Sequence, residues 1–342
     1  MSQPFRVGVA GVGAIGRNHA RILAEIAQQS GGAILFNAIY DTDRDRAHEL
    51  AAQFGTRAVT DLAVFAERVD AATVAVPTVA HRHLGGYLLE QGRHVLIEKP
   101  ISDSLFEAQE LVKLADEHNV ILQVGHIERF NPVMLELEQR MNQPRFIECT
   151  RLSPYPGRSL DVGVVLDVMI HDLEIILHLV KSPWQQVDAV GVAVLSKRED
   201  IANVRIRFAN GCVATITASR ISQDKLRKIR VFQKDAYLSL DYQKQEGHLL
   251  RLAEAGEKES TLLGKLFGLA ADSTIVTEFA GLKIVREPVP VEKDEPLKLE
   301  LQAFVECAKL GKQPIVSGQE ATAALELALK ITEQIEQQSK EA

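Results

Sequence analysis

The 342-residue chain has only three cysteines, Cys149, Cys212 and Cys307, an odd number with no C-x-x-C pair among them. A disulfide framework and a cysteine-based zinc cage are thereby excluded, and three inert thiols in a reducing, cytoplasmic setting are expected. No run of 18 apolar residues occurs, so no membrane-spanning helix is expected. The opening MSQPFRVGVAGVGAIG lacks the charged start of a signal peptide and leads straight into a glycine motif. Positive charge does not dominate either: 39 Lys and Arg stand against 46 Asp and Glu, a net charge of -7. Neither nucleic acid nor an anionic membrane is an expected partner on that balance. The cations Lys225, Arg227, Lys228 and Arg230 fall at neighbouring and alternate positions of a strand-like stretch, which reads as a polar sheet face. With 22 Gly and 12 Pro, the chain is neither collagenous nor of low complexity.

What is present is length and alternation. At ~150 residues per domain the chain is long enough for two domains. From residue 5 to 125, short β-branched runs alternate with helical stretches. The strands are expected at Phe5 to Ala10, Ala33 to Tyr40, Ala72 to Val76, His94 to Ile97 and Ile121 to Val124. The helices carry apolar stripes such as Ile15, Ala20, Leu23 and Ile26, or Ala108, Leu111, Val112 and Ala115. Such alternation predicts an α/β fold with a doubly wound parallel sheet of the Rossmann type. After Gly125 the pattern changes. Helices are expected at Asn131 to Met141 and Gly163 to Val180, but most of 144 to 251 is strand-like, and Asn210-Gly211 joins two alternating runs as a hairpin. A second α/β domain on an open antiparallel or mixed sheet follows. Residues 254 to 282 lose periodicity and are expected as a variable loop region, partly helical. Lys298 to Leu310 and Gln319 to Gln337 are expected as closing helices, with Gly311 as the stop between them. The predicted domains are 1 to 125 and 126 to 342, the final helices being able to pack back on the first.

The first strand ends in Gly11-Val12-Gly13-Ala14-Ile15-Gly16, a G-x-G-x-x-G between a strand and a helix. Gly11 permits the tight turn, Gly13 lets backbone approach a pyrophosphate, and Gly16 lets the helix pack closely. The N–H groups of the loop and helix start then meet the negative charge. The second strand runs to Tyr40-Asp41, about where a carboxylate accepts the ribose hydroxyls of NAD. Asp41 would repel a 2'-phosphate, which favours NAD over NADP, although Arg44 and Arg46 lie close enough to weaken the preference.

Further along, His94-Val95-Leu96-Ile97-Glu98-Lys99-Pro100 ends a strand at the edge where parallel sheets bind ligands, so Lys99 is expected to face the cofactor. The alternative is a pair of solvated charges. In GVVLDVMIHDLEIILHLV, Asp167 and His171 stand four apart on one helical face, the carboxylate able to orient the imidazole. An acid-steered imidazole is suited to removing an alcohol proton, and Lys99 to stabilising the alkoxide. Their alternative is a locally satisfied polar pair. Glu174 and His178 extend that face, yet the spacing is not H-E-x-x-H and no metal is expected. His81 and His83 follow Val76-Pro77-Thr78 in another strand-end loop; either could approach the nicotinamide, or both could be polar residues of a helix start.

Together these segments resemble the Gfo/Idh/MocA oxidoreductase family over nearly the whole chain. The resemblance lies in GVGAIGRNHA, in VPTVAH with Pro77 and His81, in EKPIS and in LDVMIHD. It implies an N-terminal Rossmann domain, a C-terminal domain whose open sheet mediates oligomerisation as a homodimer or homotetramer, and NAD(P)-dependent oxidation of a hydroxyl on a sugar or cyclitol. Lys99, Asp167 and His171 match the family's catalytic positions, and Pro77, His81 and Glu98 fall in its cofactor segments. Met169 and Glu174 depart from its usual pattern. Within the family, VGHIERFNP and SLDVGVVLDVMIHDLE look like the branch that oxidises C3 of UDP-N-acetylglucosamine. His126, Arg129, Asn131 and Arg158 are then candidates to contact the sugar or diphosphate. Asn131 could equally cap a helix, and Arg129 could lie on its rim. A myo-inositol or other free-sugar dehydrogenase is the alternative enzyme. A catalytically silent NAD- or sugar-sensing binding protein is the alternative of another class.

Overall fold

The structure, a computed structural model, describes residues 3–155, 162–253, 274–279 and 282–341. They form two compact units, Met1–Phe130 with Glu295–Glu326, and Asn131–Asp294 with Leu327–Ala342.

The first unit is built on six parallel strands: β1 (Phe5–Ala10), β2 (Ile34–Tyr40), β3 (Ala58–Val59), β4 (Ala71–Val74), β5 (His94–Glu98) and β6 (Leu122–Gly125). Their order is β3-β2-β1-β4-β5-β6, the doubly wound order in which the polypeptide reverses direction of winding beside β1. Central strands are apolar on both faces, as parallel sheets covered by helices require; all four residues of β4 are buried. The helices are α1 (Gly16–Gln29), α2 (Arg44–Phe54), α3 (Leu62–Arg68), α4 (His81–Glu90) and α5 (Leu105–Glu117). Asp43, Asp61 and Ser104 cap α2, α3 and α5 by accepting N–H groups of their first turns. The two-residue β3 is too short for periodicity to reveal. Along α1 the buried stripe is His19, Ala20, Ile22, Leu23 and Ile26, whereas Ile15 is 44% exposed, because it precedes the helix and belongs to the loop.

Two closing helices are α8 (Pro296–Leu310) and α9 (Gly318–Glu341), separated by Gly311 in the left-handed region at φ 64°. Leu301, Phe304, Val305 and Ala308 of α8 join Val7, Val9, Ile22, Leu23 and Ile39 in one core. In this way α8 becomes part of the first unit.

The second unit holds α6 (Pro132–Arg140), α7 (Ile170–Val180) and nine strands: β7 (Phe146–Leu152), β8 (Trp184–Val192), β9 (Ile201–Phe208), β10 (Val213–Ser219), β11 (Leu226–Phe232), β12 (Ala236–Asp241), β13 (Glu246–Leu252), β14 (Thr274–Phe279) and β15 (Leu282–Pro288). They form one mixed sheet, ordered β14-β15-β13-β12-β11-β7-β10-β9-β8. Among the described residues of this sheet, only β7 and β10 pair in parallel. Gly211, at φ 83°, makes the hairpin between β9 and β10. One sheet face is apolar, with Ile147, Cys149, Val204, Ile206, Ala214, Ile216, Ile229 and Val231 all buried. Lys228 and Arg230 lie on the opposite face, Arg230 directly across from Glu148 and ion-paired with it at 2.6 Å.

Two expectations are corrected. Residues 274 to 279 were expected in a loop but form a strand, stabilised by pairing with β15 that no local pattern announces; residues 254 to 273 lie outside the described residues. The stretch expected as one helix from Gly163 begins with a wider turn over Val165–Met169, the Ile170 N–H bonding Val165 five residues back, before regular helix starts at Ile170. All three cysteines are buried and unbridged, and burial raises each thiol above its ordinary value. No helix among the described residues is long and apolar enough to cross a membrane.

Candidate active site

The glycine loop grows out of β1. Gly11 has φ 86°, and a Cβ there would meet Val76 and the Ala75 carbonyl. A Cβ on Gly16 would collide with the Gly11 carbonyl oxygen, whereas one on Gly13 would meet nothing within 4 Å. Hence Gly11 and Gly16 fold the loop on itself and Gly13 leaves its outer side open. Ala14 and Ile15 are exposed at the helix start. Asp41, 7% exposed, accepts the Val12 N–H at 2.8 Å and the Asp43 N–H at 2.9 Å. Arg46 lies 3.9 Å from Asp41 and pairs with Asp43 at 2.8 Å.

Pro77 is exposed at the end of the β4 loop. His81 is 1% exposed, with Nδ1 2.9 Å from the Pro100 carbonyl and Nε2 3.0 Å from that of Val76. Its ring fills the space between two strand-end loops, and burial lowers its affinity for a proton. His83 is exposed on α4.

At the end of β5, Glu98 receives His19 Nε2 at 3.0 Å and the Lys99 N–H at 3.3 Å. Lys99 is half-buried, and its bond to Pro100 is cis. His126 follows β6 and is 1% exposed. Burial, then the positive charges of Lys99 and Arg129, hold its pKa down at about 3. A neutral imidazole beside two cations is therefore a fixed property of this region. Arg129 is 4% exposed, donates to the Ile315 carbonyl at 3.3 Å, and lies 4.0 Å from Glu320.

In the second unit, Asp167 and His171 are half-buried on consecutive turns of the helical segment that leads into α7. Asp172 and Glu174 beside them are buried. Asp172 forms a two-pronged pair with Arg151 of β7, both contacts at 2.8 Å, and the Arg151 guanidinium lies 6.0 Å from the Tyr242 ring centroid. His178 pairs with Glu138 at 3.0 Å. Asn131 caps α6 through the Val133 N–H and donates to the Tyr242 carbonyl at 3.0 Å. Arg158 lies outside the described residues.

Three contributions escape a reading of the sequence. His19 carries a weak signal, a histidine in the apolar stripe three residues after Gly16. Arg151 is announced only by its place at a buried position of β7, and Glu300 by a charge within the apolar stripe of α8.

The sequence pattern of an oxidoreductase family with an NAD-binding Rossmann fold, GFO/IDH/MocA, matches residues 5–126. That of the GFO/IDH/MocA C-terminal domain matches residues 135–239. A UDP-N-acetylglucosamine 3-dehydrogenase from Acidithiobacillus ferrooxidans is 37% identical over 239 residues, 70% of this chain and 74% of that protein. The chain belongs to the GFO/IDH/MocA oxidoreductase family. As a family member it is similar in fold to a solved structure of the UDP-N-acetylglucosamine 3-dehydrogenase GnnA from the same organism, with TM-score 0.83, 31% identity and 96% of each chain covered. A scyllo-inositol 2-dehydrogenase (NAD(+)) from Bacillus subtilis is 25% identical over 97% of this chain and 94% of its own length.

The family's cofactor is NAD, and this GFO/IDH/MocA chain fits it. The open side of Gly13, the exposed Ala14 and Ile15 at the start of α1, and the Asp41 carboxylate are suited to a dinucleotide's pyrophosphate and ribose.

Proposed function

We propose that this oxidoreductase oxidises C3 of a UDP-linked N-acetylhexosamine, most simply UDP-N-acetylglucosamine. The observation that carries the reading is its 37% identity to a protein named for that reaction. NAD, when bound, supplies the hydride acceptor. The remaining chemistry falls to the chain. Lys99 polarises the reacting oxygen through its ammonium, and His171 takes up the hydroxyl proton with Asp167 steering its ring. Gly11, Gly13, Ala14, Ile15, Gly16 and Asp41 hold the dinucleotide, with Pro77, His81 and Glu98 shaping its surroundings. His126, Arg129, Asn131 and Arg158 are assigned to the substrate. His126 and Arg129 are supported by the shared environment of His126 with Lys99.

The protein works as a homodimer or homotetramer in the cytoplasm, joined through the nine-stranded sheet. The half-exposed Val190 and Val192 of β8 support that assembly, since they are apolar side chains at its edge.

A panel of UDP-N-acetylglucosamine, free N-acetylglucosamine, glucose, myo-inositol and scyllo-inositol, each with NAD or NADP and followed by NADH or NADPH absorbance, tests the reading. Turnover of the UDP-sugar with NAD is expected. Turnover of inositols alone would transfer the assignment to the second reading, which the Bacillus subtilis relative favours. NAD binding without turnover of any substrate would point to a sensing protein.

A further inference from the structure

On α8, Glu300 stands in the stripe that also carries Leu301 and Phe304 and is, like them, no more than 1% exposed. Neither of its carboxyl oxygens meets a hydrogen-bond donor among the described residues. Its backbone carbonyl is approached by Gln123 Nε2 at 3.5 Å, which fixes this turn of α8 against β6. A second carboxyl group, that of Glu98, lies against the same strand. Register places Glu98 opposite Gly125 on β6, where a Cβ would lie 3.1 Å from the Glu98 carboxyl atoms. A side chain at Gly125 would press on that carboxyl, which lies over β6 within reach of His19 Nε2 on one side and the Lys99 N–H on the other.

The two carboxyl groups thus differ in their surroundings. Glu98 is supplied with donors, His19 Nε2 and the Lys99 N–H. Glu300 is fully buried, and no described residue donates to its carboxyl. Burying an unpaired carboxylate costs several kcal/mol, roughly, so such a group retains its proton instead. Burial first, and Glu98 second, push the Glu300 carboxyl well above the usual carboxylate range.

We propose that Glu300 is a positioning residue for Lys99: buried against β6, it leaves the Glu98 carboxyl undisturbed between His19 and the Lys99 backbone. The inference rests on Lys99 acting on the substrate hydroxyl. Ionising Glu300 sets a negative charge against the Glu98 carboxyl, disturbs its hold on the Lys99 N–H, and so displaces the residue that polarises the substrate.

Infrared spectroscopy of the whole protein tests the protonation state without reference to activity. At neutral pH a carboxylic-acid carbonyl band is expected in the wild type, shifted by deuteration and lost in E300Q. A wild-type spectrum without such a band, or a band that survives in E300Q, overturns the proposal. Titration of the wild type alone serves if E300Q does not fold: the band and kcat must then be lost over the same alkaline range. In folded E300Q the alkaline limb of kcat moves up by about one pH unit or more, while the KM for NAD stays near the wild-type value. Coincident pH profiles for wild type and E300Q overturn the positioning role. Should K99A turn over normally, the reading of Lys99 fails, while the infrared band still decides the state of Glu300.

Discussion

Asp41, one residue beyond β2, accepts the N–H of Val12 inside the glycine loop at 2.8 Å. The same carboxylate that is suited to a ribose therefore also braces the loop that would receive the pyrophosphate. Bracing the loop and meeting a ribose would then fall to one side chain, and its removal is expected to affect both.

The first prediction concerns that side chain. In D41A the buried Val12 N–H loses a charged acceptor, an interaction worth about 1.5–3 kcal/mol, so NADH affinity falls by roughly 10- to 100-fold. Arg46, 3.9 Å from Asp41 in the wild type and paired with Asp43, then meets a 2'-phosphate without the Asp41 charge opposing it, and the ratio of NADP to NAD affinity rises. Fluorescence titration with both reduced cofactors measures the two effects. Unchanged NADH binding would remove Asp41 from the cofactor site.

Lys99 and His171 are predicted to control turnover more than binding. Loss of the polarising ammonium in K99A, or of the proton acceptor in H171A, lowers kcat by about 10²- to 10⁴-fold. The KM for NAD should change little. D167N, which keeps shape and removes the steering charge, gives a smaller loss. Steady-state kinetics with the UDP-sugar, alongside circular dichroism to verify folding, separates these outcomes. A variant with wild-type kcat excludes its residue from the chemistry.

Much of this was legible in the sequence because it is local. The G-x-G-x-x-G between β1 and α1, the acid after β2, the lysine at the end of β5 and the Asn210-Gly211 hairpin all depend on residues a few positions apart. What escaped is non-local. The strand Thr274–Phe279 exists through its pairing with β15. His19 acquires its role from a carboxylate 79 positions away, and Glu300 from its place against β6. The wider helical turn at Val165–Met169 leaves the apolar pattern almost unaltered, so periodicity reads straight through it.

His126 gives a pH prediction with a definite sign. Its pKa falls from an ordinary 6.5 to about 3 on folding, so the unfolded chain binds the extra proton first. Its stabilising contribution is complete above pH 6.5 and is lost progressively as the pH falls toward about 3. The loss approaches about 1.4 kcal/mol per pH unit. H126Q has no such group, and its unfolding free energy should fall less steeply over that window. Urea unfolding at a series of pH values compares the slopes; parallel curves would mean that His126 is protonated in the folded protein.

The last prediction tests how the helix carrying His171 is held. Arg151 and Asp172 are 4% and 2% exposed and meet through two contacts of 2.8 Å, so the pair is a buried, two-pronged ion pair. Truncation in D172A takes the two-pronged carboxylate away from a buried guanidinium, and the expected destabilisation is about 3–5 kcal/mol. Replacing both partners, as in R151M with D172L, removes the stranded charge and should cost much less than the two single changes added together. Because Asp172 adjoins His171 and ties α7 to β7, D172N should also reduce kcat while leaving NADH affinity unchanged. Urea unfolding of the single and double variants, with kcat measured on those that remain folded, tests both parts. Additive destabilisation would show that the pair contributes no coupling, and a D172N enzyme with wild-type turnover would separate this anchor from His171.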